Sequence, residues 1–302
     1  MAINRSSIRD LLLPGLADVT GKYPQIPARW RQFLSVGTSK MALERTAQMR
    51  YTGLAQLKAE GGATNFDNAE GERFVWNIEH QSIGLGFAIT REALDDNLYK
   101  EQFNPQAMGL AESFGVTKEI LNHQLLNTAA TVNPLFGGDG VALASTAHPV
   151  DNGTFANTPT VQLDFNEAAV ETALIQIRQF VDQAGLPTLA RGRKAIVPLQ
   201  LEFQAERLFK TELRTGTANN DVSAILSSGA VPEGYAVSEY LTSAFAWGIL
   251  TTVNGLVYYD RTPFELDLQV DPTTGNLLVI GYERYGSGIK DPRGIWWTNP
   301  TA

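Results

Sequence analysis

Three histidines, His80, His123 and His148, are the side chains of this 302-residue sequence best suited to proton transfer or metal ligation near neutral pH. Glu119 precedes His123 by four residues, so on a helix the two would share a face and could offer two metal ligands. No third ligand lies near them in the sequence, and a surface ion pair explains the spacing without a metal. Ser145, His148 and Asp151 follow one another in triad order. A triad needs side chains converging from separate elements, and no serine here sits in the glycine-flanked elbow that exposes a nucleophile. Structural loop residues explain the three better. Asp95-Asp96 and Glu70/Glu72 read as solvated acidic turns. Gly84-Leu85-Gly86 lacks the third glycine of a dinucleotide fingerprint, because Ile89 occupies its place. Asp271 to Asn276 reads as a hairpin turn rather than a calcium loop. The absence of cysteine excludes disulfides, thiolate zinc sites and a cysteine nucleophile together. The expectation is a protein with no catalytic residues, no cofactor and no metal, with a hydrolase using the Ser145/His148 region as a remote alternative.

Composition points the same way. With 43% hydrophobic residues the chain can bury a real core, and no apolar run approaches the length of a membrane span. The start of the chain has too short an apolar run for a signal peptide, so a soluble protein made in a reducing cytosol is expected. The formal charge of −8 is uneven: residues 1–50 carry eight basic and three acidic side chains, which leaves −13 for the remainder. A basic arm on an acidic body suits either an acidic neighbouring surface or a polyanion. No lysine or arginine block and no interleaved aromatics mark a dedicated nucleic-acid binder.

The elements that would position these groups are mixed. Residues 49–84 read as a long hairpin: Phe74, Trp76 and Ile78 alternate with polar residues, Arg50 to Lys58 is a weaker strand, and a glycine- and asparagine-rich loop joins them. An isolated hairpin is marginal in water, so this one should be held by a neighbouring copy of the chain. Gly84 to Thr90 reads as a strand. Asn104-Pro105 opens a long helix running to Ala129, with Ala107, Leu110, Ala111, Phe114, Leu121 and Leu125 on one face. A loop region over 131–163 leads to a helix from Asp164 to Ala184, capped by Asp164 and Glu167. A strand over Arg193 to Pro198 and a helix over Leu201 to Leu213 follow. The last third reads as strands: Phe245 to Val253, Gly255 to Tyr259, and a hairpin pairing Phe264 to Val270 with Leu277 to Tyr285. The fold class is α+β, with no repeating strand–helix order.

Taken in order, these segments resemble a tailed-bacteriophage major capsid protein of the fold first seen in bacteriophage Hong Kong 97, closest to the major head subunit of Mu-like phages. The resemblance rests on Glu60-Gly61 through Glu79, on Gly84-Leu85-Gly86-Phe87-Ala88-Ile89-Thr90-Arg91-Glu92 and on Ala144-Ser145-Thr146-Ala147-His148-Pro149. It continues through Trp247 with Ile249-Leu250 and Gly286-Ser287-Gly288-Ile289-Lys290-Asp291-Pro292-Arg293-Gly294. It implies an N-terminal arm (1–48), an extended loop (49–84), a peripheral domain with a long spine helix (85–190 and 262–302) and an axial domain (191–261). It also implies self-assembly as pentamers and hexamers into an icosahedral shell around double-stranded DNA, non-specifically contacted, in a virion assembled in the host bacterial cytoplasm. An encapsulin-type nanocompartment shell is the alternative. Only 48 residues precede the loop, too few for the fused scaffolding segment of some relatives, so a separate scaffolding protein is expected, with a portal and possible decoration partners and no membrane. No motif here matches the covalent cross-link of the founding member. Inter-subunit contacts are expected at Phe66, Phe74, Trp76 and Ile78 of the loop, and at Arg29, Trp30 and Arg31 of the arm.

Overall fold

The alternation of Phe264, Leu266, Leu268 and Val270 with charged residues is realised as strand β10 (Leu256–Val270), which folds back on β11 (Leu277–Ile289) through the turn at Asp271. The computed structural model describes residues 27–67, 71–95, 99–133, 138–151, 153–213 and 222–300. The arm before residue 27, Glu70, and Asp96-Asn97 of the acidic turn lie outside the described residues.

Two four-stranded sheets organise the body. In the first, β1 (Ser35–Thr38) runs parallel to β10, and β4 (Gln81–Ile89) pairs antiparallel with β11. In the second, β12 (Ile295–Thr298), β9 (Trp247–Thr251), β7 (Gly192–Pro198) and β8 (Tyr235–Ser238) lie side by side in that order. β9 is buried along its whole length, as its continuous apolar run requires. Two smaller ladders remain: β2 (Leu43–Met49) with β3 (Glu72–Glu79), and β5 (His148–Val150) with β6 (Gly153–Phe155).

After the short helix α1 (Arg91–Asp95), the spine helix α2 spans Tyr99–Asn127, so Asn104-Pro105 lie within it rather than at its cap. Its 29 residues make a rod of about 43 Å at ~1.5 Å per residue. Ala107, Leu110, Ala111 and Phe114 form the buried stripe against β4 and the β10–β11 hairpin. Helix α3 covers Glu167–Arg178; Asn166, not Asp164, caps it by accepting the Ala169 N–H at 2.8 Å. Helices α4 (Glu202–Lys210) and α5 (Ala224–Ser227) follow among the described residues.

The cores cross the expected domain boundaries. Val170, Ala173 and Ile177 of α3 and Trp296 of β12 share one apolar cluster with Ala195, Val197, Trp247 and Ile249. The strand at the end of the chain therefore belongs to the sheet of residues 192–251, and β10 belongs to the other sheet.

Candidate assembly surface

The strand expected over Arg50 to Lys58 is absent; β3 pairs instead with β2, just upstream, in the register Glu44↔Ile78, Thr46↔Trp76 and Gln48↔Phe74. Leu43 to Met49 supplies an uninterrupted extended run, whereas Gly53 weakens the stretch after it. This ladder is docked on the body of its own chain. Trp76 and Ile78 are 2% and 1% exposed. Gly138, at φ +79°, leaves room for the Trp76 ring where any Cβ would collide, and donates its N–H to Val75 O at 2.8 Å. A Cβ on Gly288 would come within 2.6 Å of Ile78. Arg50 and Arg73, from the two sides of the ladder, both ion-pair with Asp151 at the β5–β6 turn. Trp76 and Ile78, expected at a neighbouring subunit, are buried against their own chain, which holds the hairpin base. Phe74 is half-buried beneath the Arg73 guanidinium, 5.2 Å from its ring centre.

Beyond Met49 the finger changes character. Residues 51–67 carry no ladder, and their described ties are local: Gly53 N–H to Asp67 Oδ2 at 2.6 Å, Asn65 to Gln56, and Gly62 N–H to Ala59 O at 3.0 Å in the turn at Gly61. Tyr51, Leu54, Leu57 and Phe66 all project into solvent, Phe66 with 90% of its surface exposed. Fixing a backbone costs about 1–2 kcal/mol per residue, and each fully buried leucine or phenylalanine returns about 1.5–3 kcal/mol. A finger with no buried apolar side chain cannot balance that cost from its own contacts.

The arm entrance is also held internally. Residues Arg29–Gln32 form a 3₁₀ turn whose first N–H groups point at the spine helix. The Glu119 carboxylate accepts the Arg29 N–H at 2.6 Å and the Trp30 N–H at 3.1 Å. Trp30 is buried, with its ring centre 4.1 Å from that of Tyr258. The Arg29 guanidinium meets Glu239 of the same chain at 3.3 Å, both half-exposed, and Arg31 lies over the Trp30 ring. Trp30 is thus taken up by its own chain, whereas Arg29 is half-exposed and Arg31 exposed. Glu119 and His123 are not a surface pair either: both are buried, and the carboxylate accepts two backbone N–H groups. Burial raises the Glu119 pKa, while the Arg29 and Trp30 N–H groups oppose the rise.

The Ser145–His148–Asp151 reading fails on geometry. His148 Nδ1 faces Asp139 Oδ2 at 2.6 Å, and its Nε2 faces Asn157 Oδ1 at 3.1 Å. Asp151 is held by the two arginines, and Ser145 Oγ accepts the Ala147 N–H. Asn157 donates to Leu143 O and Pro292 O, so His148 and Asn157 knit the 138–157 loops to the end of the chain. Among the described residues, no group of three metal-ligating side chains converges. One buried pair had no signal in sequence: Lys118 Nζ lies 2.7 Å from the fully buried carboxylate of Glu283, joining the spine helix to β11.

Comparison with known proteins agrees with this picture. No curated protein matches the sequence. A virus-like particle from Pyrococcus furiosus is similar in structure, with a TM-score of 0.53 and 11% identity over 95% of this chain and 98% of that one. The structure from Mycobacterium phage Patience has a TM-score of 0.54 and 10% identity, over 99% of this chain and 89% of the other. An encapsulin complex from Synechococcus elongatus gives 0.52 and 10%, over 91% and 88%. The architecture is the Hong Kong 97-type capsid fold. The sequence itself matches the family described as phage capsid protein over residues 78–298, most of the body just described, and the chain belongs to that family.

Proposed function

We propose that this protein is the structural subunit of an icosahedral phage head, assembling with itself as pentamers and hexamers around double-stranded DNA and residing in the virion. One observation carries the reading: a finger of residues 50–67 presents four large apolar side chains to solvent while its base is fixed to the body. A rigidly based, greasy-tipped finger is suited to a surface on another copy, and ordering on assembly supplies the stability it lacks alone. Phe66, with Tyr51, Leu54 and Leu57, replaces Trp76 and Ile78 as the inter-subunit contact. Arm, extended loop, peripheral and axial domains remain the proposed divisions, with β12 moved to the axial sheet. A separate scaffolding protein, a portal, assembly in the host cytoplasm and kinship with the Mu-like head subunit belong to the same proposal.

An encapsulin-like shell is the second reading, because an encapsulin is among the structures of similar fold. Negative-stain microscopy of the expressed protein, followed by analysis of particle contents, tests both. Closed particles support a shell; packaged nucleic acid favours the phage head, and a co-purifying cargo protein favours the nanocompartment. A chain that remains monomeric at high concentration contradicts both.

A further inference from the structure

All three histidines of the chain are buried. Two of them, His80 and His123, grip the same stretch, residues 29–44, which leads from the arm into the finger. His123, on the spine helix, has its Nδ1 2.7 Å from the Glu119 carbonyl oxygen and its ring edge-on to Phe33 at 4.8 Å. Tyr240 covers the ring at 5.3 Å, and His123 Nε2 is buried with no hydrogen-bond partner among the described residues. His80, between β3 and β4, places Nε2 3.1 Å from Ser39 Oγ, a hydroxyl that also donates to the Glu44 carboxylate. Its Nδ1 faces Gly286 and is likewise buried without a partner.

A neutral imidazole can leave one nitrogen bare in an apolar seat at modest cost. A second proton there finds no acceptor, and the Glu119 carboxylate, 3.4 Å from His123 Nδ1, offsets only part of the cost of burying the charge. We propose that His80 and His123 form a two-point, acid-sensitive latch that keeps residues 29–44 seated at neutral pH and lets them lift from the spine helix and the first sheet on acidification. The latch is a property of the single chain and does not rest on the shell reading.

The surroundings are mixed in sign. His123 faces Glu119 on its own helix, Glu239 and Tyr240 beyond β8, and Arg29 lies across the same Glu119. His80 faces Glu44 on β2, Arg284 on β11 and Arg261 on β10. Burial holds both histidines below their ordinary value, against the pull of the Glu119 carbonyl and Glu239 on His123 and of Glu44 on His80. The released stretch therefore binds more protons than the seated one. The stability is present above the ordinary value of 6.5 and is lost as pH falls from there through the seated values. Glu119 works the other way, since protonating a buried carboxylate removes a charge, and it partly offsets the loss.

Hydrogen exchange on the full chain, corrected for intrinsic pH dependence, tests the latch. Protection over residues 29–44 is expected to fall at least about tenfold between roughly pH 7.5 and pH 5, while β7 and β9 keep theirs. Unchanged protection over 29–44, or an equal loss in β7 and β9, overturns the proposal. A doubly substituted His80→Gln, His123→Gln chain should hold the stretch seated with a flat pH response; the same tenfold fall in that variant also overturns it. If the double variant does not fold, an NMR titration of the histidine rings in the native chain decides. Midpoints below 6.5 for both support the latch, and a midpoint at or above 6.5 for either contradicts it.

Discussion

The arm entrance and the finger tip are similar in composition and opposite in outcome. Both mix arginine or polar residues with large apolar side chains, and both look from sequence like segments that must reach a neighbour. Trp30, Phe33 and Leu34 disappear into the core, while Tyr51, Leu54, Leu57 and Phe66 stay in solvent. The difference lies in what receives them. The arm entrance has a carboxylate aimed at its first N–H groups and an aromatic face at Tyr258. Among the described residues the tip has its own turn and a few bonds between its two limbs. Apolar residues alone do not say whether a segment is core or interface; the presence of a seat does.

The first way to break the comparison is to empty a seat. Trp76→Ala removes a buried ring from the finger base and is expected to cost about 3–5 kcal/mol, read by denaturant unfolding. A loss under about 1 kcal/mol would mean the base is not anchored as described. Glu119→Ala withdraws the acceptor of one buried and one part-buried N–H group, with an expected cost of about 1–3 kcal/mol by the same measurement. Arg29→Ala sharpens the contrast from the other side. Its ion pair with Glu239 is half-exposed, so the change should stay within about 0–1 kcal/mol and shrink further in high salt.

Local pattern made much of the fold legible. The β10–β11 hairpin follows from strict alternation around Asp271 to Asn276, and the spine helix from its apolar stripe, although the helix starts at Tyr99 rather than at the Asn104-Pro105 cap signal. Two cap-competent residues, Asp164 and Asn166, precede Glu167, and only backbone geometry chooses between them. The site was less legible because its decisive contacts are long-range. Glu119 with Arg29 and Trp30, Asp151 with Arg50 and Arg73, and Lys118 with Glu283 each join residues far apart in the chain. Neither periodicity nor spacing encodes such pairs. Phe66 lies in a polar loop and the structure leaves it exposed, while the alternation of Trp76 and Ile78 equally describes a strand docked on its own body.

The most direct measurement is sedimentation of a Leu54→Ser, Leu57→Ser, Phe66→Ser chain beside the native one, at a concentration where the native chain forms particles. The variant is expected to unfold within about 0.5 kcal/mol per site of the native chain, because exposed side chains contribute little to the fold, yet to remain as small species. Particles formed in native yield by that variant would contradict the finger as the contact between copies.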